Sequence, residues 1–358
     1  YRGIELILRG RDPRDASRIT QRVCGVCPTA HSTASALCLD SAFDIADKVP
    51  DNGRIIRNLI FGSNYVHNHI LHFYHLAALD YLDVTRAVTY EEHDFDHLRE
   101  FISRGELAPF VPRYEGDYRL SDDANKALLL HYIQGLDMRR KAQEMLSIFG
   151  GKMPLQVGII AGGVTCEPTT DKIASFLWRL NELREFIANA YIPDVINVAK
   201  AYQDYFEIGA GCRNLISYGV FDLDGTNPDY ARRSRLFKQG STSQGNGFAP
   251  LDMTKITEAI RYSWYADHDT ADVHKEGAYS FVKSPRYNGA THEVGPLARV
   301  MVSYAAGDET VRCELDALLH EIGVPLDAMY SVMGRHVARA LEAKIIADNM
   351  VDWLMQLK

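Results

Sequence analysis

Between Asn58 and Leu79 the chain carries no Lys, Arg, Asp or Glu. A stretch of that length could span a bilayer. It also holds His67, His69, His72, His75 and three asparagines, and polar side chains at that density are costly in lipid. The reading is a helix buried inside protein, part of a longer helical run over 53–82 that is apolar on most faces. Such a helix has to be covered on several sides, which calls for a multi-helix body. No transmembrane segment of its own is expected.

Other helical patterns run over 30–48, 121–149, 169–205, 251–265, 296–306, 309–322 and 325–350. Ser121 is a fitting N-cap, Gly150-Gly151 a fitting stop, and Pro193 should kink or split the run that contains it. Strand signals are short: 215–223 is the best and 156–160 is weaker. The polar, Gly/Ser-rich segment 227–250 reads as a loop or excursion on the surface. The expected fold class is mainly α, a multi-helix bundle with a loop and short-strand insertion. Length alone would suggest two or three domains. Without a linker, the pattern favours one helical domain across 1–358, with its insertion at about 206–295.

Apolar residues make up 46% and charged residues 24%, as in ordinary globular proteins. A disordered chain, a collagen and a coiled-coil rod are excluded. With 39 Lys+Arg against 47 Asp+Glu the net charge is −8, and no nucleic-acid partner is expected. Position 1 is Tyr, and the chain stops within a helix-like pattern at Lys358. The expectation is a trimmed or processed piece of something longer, with no signal peptide at its start.

Six cysteines are too sparse for a disulfide scaffold. Cys38, Cys166, Cys212 and Cys313 are isolated and read as structural. Cys24 and Cys27 stand three apart in RITQRVCGVCPTAHSTASA. Gly25 relaxes the backbone so that both sulfurs can turn the same way, and Pro28 suits the first turn of a helix. A helix start and Arg22 nearby should both favour thiolate. His31 lies one turn further on and can bind a metal or hydrogen-bond a cysteine sulfur. Three readings stand on spacing alone: a metal pair, a structural zinc half-site and a thioredoxin-like redox pair. Zinc usually wants a second such pair, which this chain lacks. The redox motif usually follows a strand, which RDPRDASRITQ does not resemble.

LILRGRDPRDASRITQRVCGVCPTAHS resembles the first cysteine motif of the nickel–iron hydrogenase large (catalytic) subunit. VHNHILHFYHLAALDYLD, GGKMPLQVGIIAGGVT, YIPDVINVAKAYQDYFEIGAG, YSFVKSPRYNG and EVGPLARVMVSYAAGD resemble further segments of that family in the same order. The resemblance covers nearly the whole chain. It implies a Ni-Fe centre with cyanide and carbon monoxide on the iron. Cys24 would be a terminal nickel ligand, Cys27 would bridge the two metals, and His31 would hydrogen-bond the bridging sulfur. It further implies heterolytic oxidation or evolution of H2, with electrons passed to a small subunit that carries the iron–sulfur clusters. The compartment implied is periplasmic or membrane-associated through partner subunits, or cytoplasmic.

Three features of the family pattern have no counterpart here: an N-terminal glutamate, the C-terminal DPCxxC pair, and an arginine that overhangs the metals. Asn68 stands where many relatives carry aspartate. The chain thus carries only the first CxxC pair. The alternatives are a truncated non-catalytic paralogue acting as a structural or quinone-side module, and an apo maturation precursor.

Four other groups stand out. The four histidines of 67–75 read as hydrogen-bonded core or interface residues, with a metal shared by His72 and His75 as the sharper alternative. Arg286, Tyr287, Glu293 and Arg299 read as a buried charged network. Arg11, Asp12, Arg14 and Asp15 read as a solvated turn, or as a polar shell for the cysteine loop or a partner subunit. Trp178, Trp264 and Trp353 read as core or interface anchors. Cys24 and Cys27 are expected in the middle of the protein, their sulfurs within about 4 Å, the reach of a shared metal.

Overall fold

A computed structural model describes residues 3–105, 116–244, 246–266 and 270–358. Among the described residues the fold is mainly helical, with eleven α-helices: α1 (Ile4–Leu8), α2 (Ala16–Thr20), α3 (Pro28–Ala42), α4 (Asp51–Ile70), α5 (Asp96–Ser103), α6 (Asp122–Gly150), α7 (Thr170–Phe186), α8 (Ile192–Ala201), α9 (Pro296–Ala305), α10 (Glu309–Ile322) and α11 (Val332–Met355). The uncharged run forms the second half of α4 and continues through a π-helical turn at Leu71–Ala77.

Helix α4 packs most extensively against α6 and α11. Ile56, Leu59, Ile60 and Ile70 are fully buried there, with Leu128, Met145 and Phe149 of α6 and Ile346 and Met350 of α11. Closeness to α11 depends on Gly62: a Cβ there would sit 2.7 Å from Met350 Sδ. Residues with matched caps set the helix ends. The Ser121 hydroxyl accepts from Ala124 N–H at the start of α6, and the Asp308 carboxylate accepts from Val311 N–H at the start of α10. Gly323, at φ 84°, ends α10 in a left-handed turn that other residues adopt only with strain.

Pro193 disturbs the 169–205 run without ending it: the backbone stays helical from α7 through a π-helical turn at Ile187–Tyr191 into α8, and the widened ladder just before Pro193 accommodates its missing N–H.

Three expectations need correction. The 251–265 segment is not a helix: it contains a short 3-10 turn and the strand Ile256–Ala259, antiparallel to Ser284–Tyr287. Asp252 accepts from Thr254 N–H and turns the chain locally, and pairing with a distant strand then overrides the helical periodicity. The 215–223 strand is two, Asn214–Ser217 and Val220–Asp222, interrupted at Gly219 (φ 79°). The 227–250 segment is not a loop throughout. It holds the strands Arg235–Phe237, Gly240–Ser243 and Asn246–Ala249. Arg233 and Arg235 are buried there because both donate to Asp222 at 2.8 Å.

Helix α3 is locked onto α4 by a buried ion pair. Arg57 Nη1 donates to Asp40 Oδ2 at 2.6 Å. The same guanidinium donates to the Gly163 and Ile160 carbonyls at 3.1 and 2.6 Å. This lock fixes the helix that carries the cysteine motif.

Candidate metal centre

The 3-10 turn Gln21–Val23 ends at Cys24, where the backbone is extended (φ −139°, ψ 130°). The chain reverses through Gly25 and Val26, and Cys27 becomes the N-cap of α3 with Pro28 in its first turn. That reversal brings Cys27 N–H to 3.0 Å from Cys24 Sγ. His31, one turn along α3, places Nε2 3.7 Å from Cys27 Sγ. One ligand atom from each of Cys24, Cys27 and His31 lies within 4.8 Å of the other two. Among the described residues no other His, Cys, Asp or Glu group of three or more converges this way.

The loop is held from both sides. Buried Gln21 donates through Nε2 to the Ser17 and Gln156 carbonyls at 3.1 and 3.0 Å. Gln156 in turn donates to Ser32 Oγ at 2.7 Å and accepts from Ile159 N–H. Thr20 Oγ1 donates to the Ala16 carbonyl, and Asn64 of α4 reaches the Val26 carbonyl. Sequence reasoning missed Gln21, Gln156 and Ser32, because the contact between the two glutamines joins residues 135 apart.

Two expectations about the cysteines are corrected. They are half-buried, not central, and Gly25 and Val26 between them are exposed. Nor do the surroundings favour thiolate at Cys27. Arg22 donates to the Arg18 carbonyl one turn back. Burial first, and then the adjacent Cys24 sulfur, push the Cys27 thiol up to about 12. Two sulfurs this close resist a second negative charge, so a bound cation has to displace the protons. Burial also lowers the pKa of His31 and keeps the ring neutral.

A cavity of about 280 Å³ opens beside Cys27, its wall including Asn64, His69, His72, Arg299 and Arg339. A second, of about 310 Å³, lies between α3, α4 and residues 216–222 and shares Ala30, Phe61, Tyr65 and Arg299 with the first.

The four histidines of the central helix separate. His69 Nε2 lies 2.8 Å from Glu342 Oε2, and Gln143 donates to His67. His75 meets the Tyr132 carbonyl on α6 at 3.2 Å, while His72 lines the cavity. Burial lowers the pKa of all four, to about 4 in His67, His72 and His75.

The expected four-residue charged network is two separate pairs. Arg299 donates to Glu342, and Arg335 to Glu293 at 2.8 and 2.6 Å. Arg286 is exposed and bonds the Pro285 carbonyl. Arg14 pairs with Asp12 in a solvated turn. Cys38 and Cys313 are exposed, and so is Trp178, beside Arg179, because α7 turns that face outward.

The family model for nickel-dependent hydrogenases matches residues 2–358. The chain belongs to the nickel-dependent hydrogenase family. Within it the chain is a large subunit, and the enzyme class is that of an oxidoreductase. It is similar to the periplasmic NiFeSe hydrogenase large subunit of Desulfomicrobium baculatum, at 39% identity over 100% of this chain and 69% of that one. It is also similar to the quinone-reactive Ni/Fe-hydrogenase large chain of Wolinella succinogenes, at 30% identity over 97% of this chain and 70% of that one. Among solved structures, the Ni-Fe-Se hydrogenase from D. vulgaris Hildenborough in the as-isolated oxidized state superposes with a TM-score of 0.84, at 42% identity over 100% of this chain and 72% of that one. The family implies a Ni-Fe centre and a small-subunit partner. Among the described residues no helix of this hydrogenase subunit is long and apolar enough to cross a membrane.

Proposed function

We propose that Cys24 and Cys27 hold the nickel–iron centre of a hydrogenase, Cys24 as a terminal nickel ligand and Cys27 as a bridge. The observation that carries this reading is the convergence of two thiols and a neutral imidazole within 4.8 Å. Soft sulfur donors suit both metals. Cys24 and Cys27 would supply half of the four-sulfur set that the family resemblance implies. When bound, the centre, with cyanide and carbon monoxide on its iron, would supply the electrophile that polarises H2 and accepts its electrons.

The chain's own residues hold and shield that site. His31 Nε2 faces the Cys27 sulfur, and the tautomer protonated there would donate to it and limit the charge a bridging thiolate carries. Gln21, Gln156 and Ser32 keep the two sulfurs on one side of the loop. The reaction is heterolytic H2 oxidation or evolution, with the proton leaving to a base beside the pair.

Electrons leave through a small iron–sulfur subunit, since the other four cysteines of this chain are dispersed. The exposed Gly25–Val26 edge supports a partner surface at this loop. The compartment is periplasmic or membrane-associated through that partner, with a cytoplasmic complex as the alternative. Residues 1–358 form one domain of the subunit, with the 206–295 region as its insertion. The thiol pair and its support weigh against a metal-free quinone-side module.

The native complex should reduce a redox dye under H2 and co-elute with a smaller chain showing iron–sulfur absorbance. A dye-reducing monomer without that absorbance would overturn the partner. A metal-loaded complex inert to H2 would overturn the activity.

A further inference from the structure

We propose that Cys166 and Lys172 form an oxidation-sensitive pair, which a peroxide closes into a covalent cross-link that thiols reverse. Cys166 stands alone in the sequence but not in the fold. It follows the short hairpin of Ile159–Ile160 and Gly163–Val164, and Lys172 lies in the first turn of α7. Lys172 Nζ donates to Cys166 Sγ at 3.2 Å. A second bond, to the Glu167 carbonyl at 3.1 Å, holds the nitrogen in that place. The sulfur is held as well. It packs against the core, and its S–H faces the Ile148 carbonyl, in the last turn of α6, at 3.8 Å. A lysine stem usually carries its head out to water; this one turns its head onto a thiol. Both side chains are half-buried, so a molecule as small as hydrogen peroxide reaches them.

Reacting atoms held at about 3–3.5 Å are close to the arrangement from which bonds form. The chemistry runs in two steps. The Cys166 sulfur attacks hydrogen peroxide: an S–O bond forms, the O–O bond breaks, and the thiol's proton leaves with the other oxygen as water. The sulfenic acid so made is electrophilic at sulfur and condenses with a neighbouring nitrogen. Lys172, as the free amine, attacks it: an S–N bond forms, the S–O bond breaks, and the oxygen leaves as water with a proton from nitrogen. Sulfur has given up one electron pair, and the peroxide has taken it. A small thiol restores both side chains and leaves as its own disulfide. The cross-link thus keeps Cys166 from the irreversible sulfinic stage. The pair includes neither Cys24 and Cys27 nor the cavity beside them, so it does not depend on the hydrogenase reading.

The test is to titrate the native complex with hydrogen peroxide and map it by trypsin and mass spectrometry. Trypsin does not cut after a lysine whose amine is bonded to sulfur. The oxidised parent should lose the cut after Lys172 and yield one longer peptide, lighter by the two hydrogens that the condensation removes. Dithiothreitol should restore both the mass and the cut. Dimedone, which caps sulfenic acids, should find little to cap at Cys166 in the parent. Lys172→Arg keeps the cation but not the attacking amine, so Cys166 should then carry the dimedone adduct. Cys166→Ser should keep the cut after Lys172 under peroxide. An oxidised parent still cut after Lys172, equal dimedone capture at Cys166 in parent and Lys172→Arg, or oxidation confined to the exposed Cys38 and Cys313 would overturn the proposal.

Discussion

Glu342→Gln isolates what one buried carboxylate contributes where α4, α9 and α11 meet. Glu342 is wholly inaccessible, and its oxygens accept from Arg299 and meet His69. Burial alone would raise its pKa; the Arg299 charge and hydrogen bonds outweigh burial and bring the carboxyl from 4.5 to about 2. At about 1.4 kcal/mol for each tenfold change in proton affinity, that gap corresponds to about 3 kcal/mol. Breaking a buried pair by removing one partner costs about 3–5 kcal/mol, which agrees. The variant should therefore lose about 3 kcal/mol of unfolding free energy at pH 7, read as a lower urea midpoint with an unchanged slope. The folded pKa lies below the unfolded one. The stabilisation is thus complete above pH 4.5 and is lost as pH falls toward 2. The difference between variant and parent should narrow in acid. Adding Arg299→Met should recover part of the loss, because no unpaired charge then remains. A loss below about 1 kcal/mol, a difference that widens in acid, or no recovery in the double variant would refute the reasoning.

Gln156→Ala should cost about 1–2 kcal/mol by orphaning the buried Ile159 N–H and removing the donor to Ser32 Oγ, and should speed alkylation of Cys24 and Cys27 in the metal-free protein; unchanged alkylation rates would detach the Gln156 side chain from the loop. Gly334→Ala drives a methyl into the Met329 carbonyl at the start of α11 and should cost at least about 2 kcal/mol in thermal unfolding. Arg57→Met strands Asp40 in the core and should cost about 3 kcal/mol or more, measured by urea unfolding; a near-neutral result would remove the α3–α4 lock.

Much of the fold is legible locally. The uncharged run gives α4, Ser121 and Gly151 bound α6, and Pro193 marks the π-helical turn before α8, because each depends on the residue itself and its near neighbours. Residues 251–265 mislead because Ile256–Ala259 finds its partner at 284–287, beyond any local window. Arg233 and Arg235 look solvated until Asp222 is seen between them. The site divides the same way. Cys24, Cys27 and His31 are within eight residues and are brought together by one turn and one helix start. Glu342, the partner of Arg299, is 43 residues away, and Gln156 is 135 from Gln21. No spacing rule reaches either.

The central claim is that Cys24 and Cys27 together hold the metals, and nickel and iron counts per chain in the purified native complex test it most directly. The parent protein should carry both metals, and Cys24→Ser and Cys27→Ser should each lose most of the nickel, with iron falling furthest in Cys27→Ser, while both variants stay folded by circular dichroism. Full nickel and iron in a folded Cys27→Ser variant would contradict the claim.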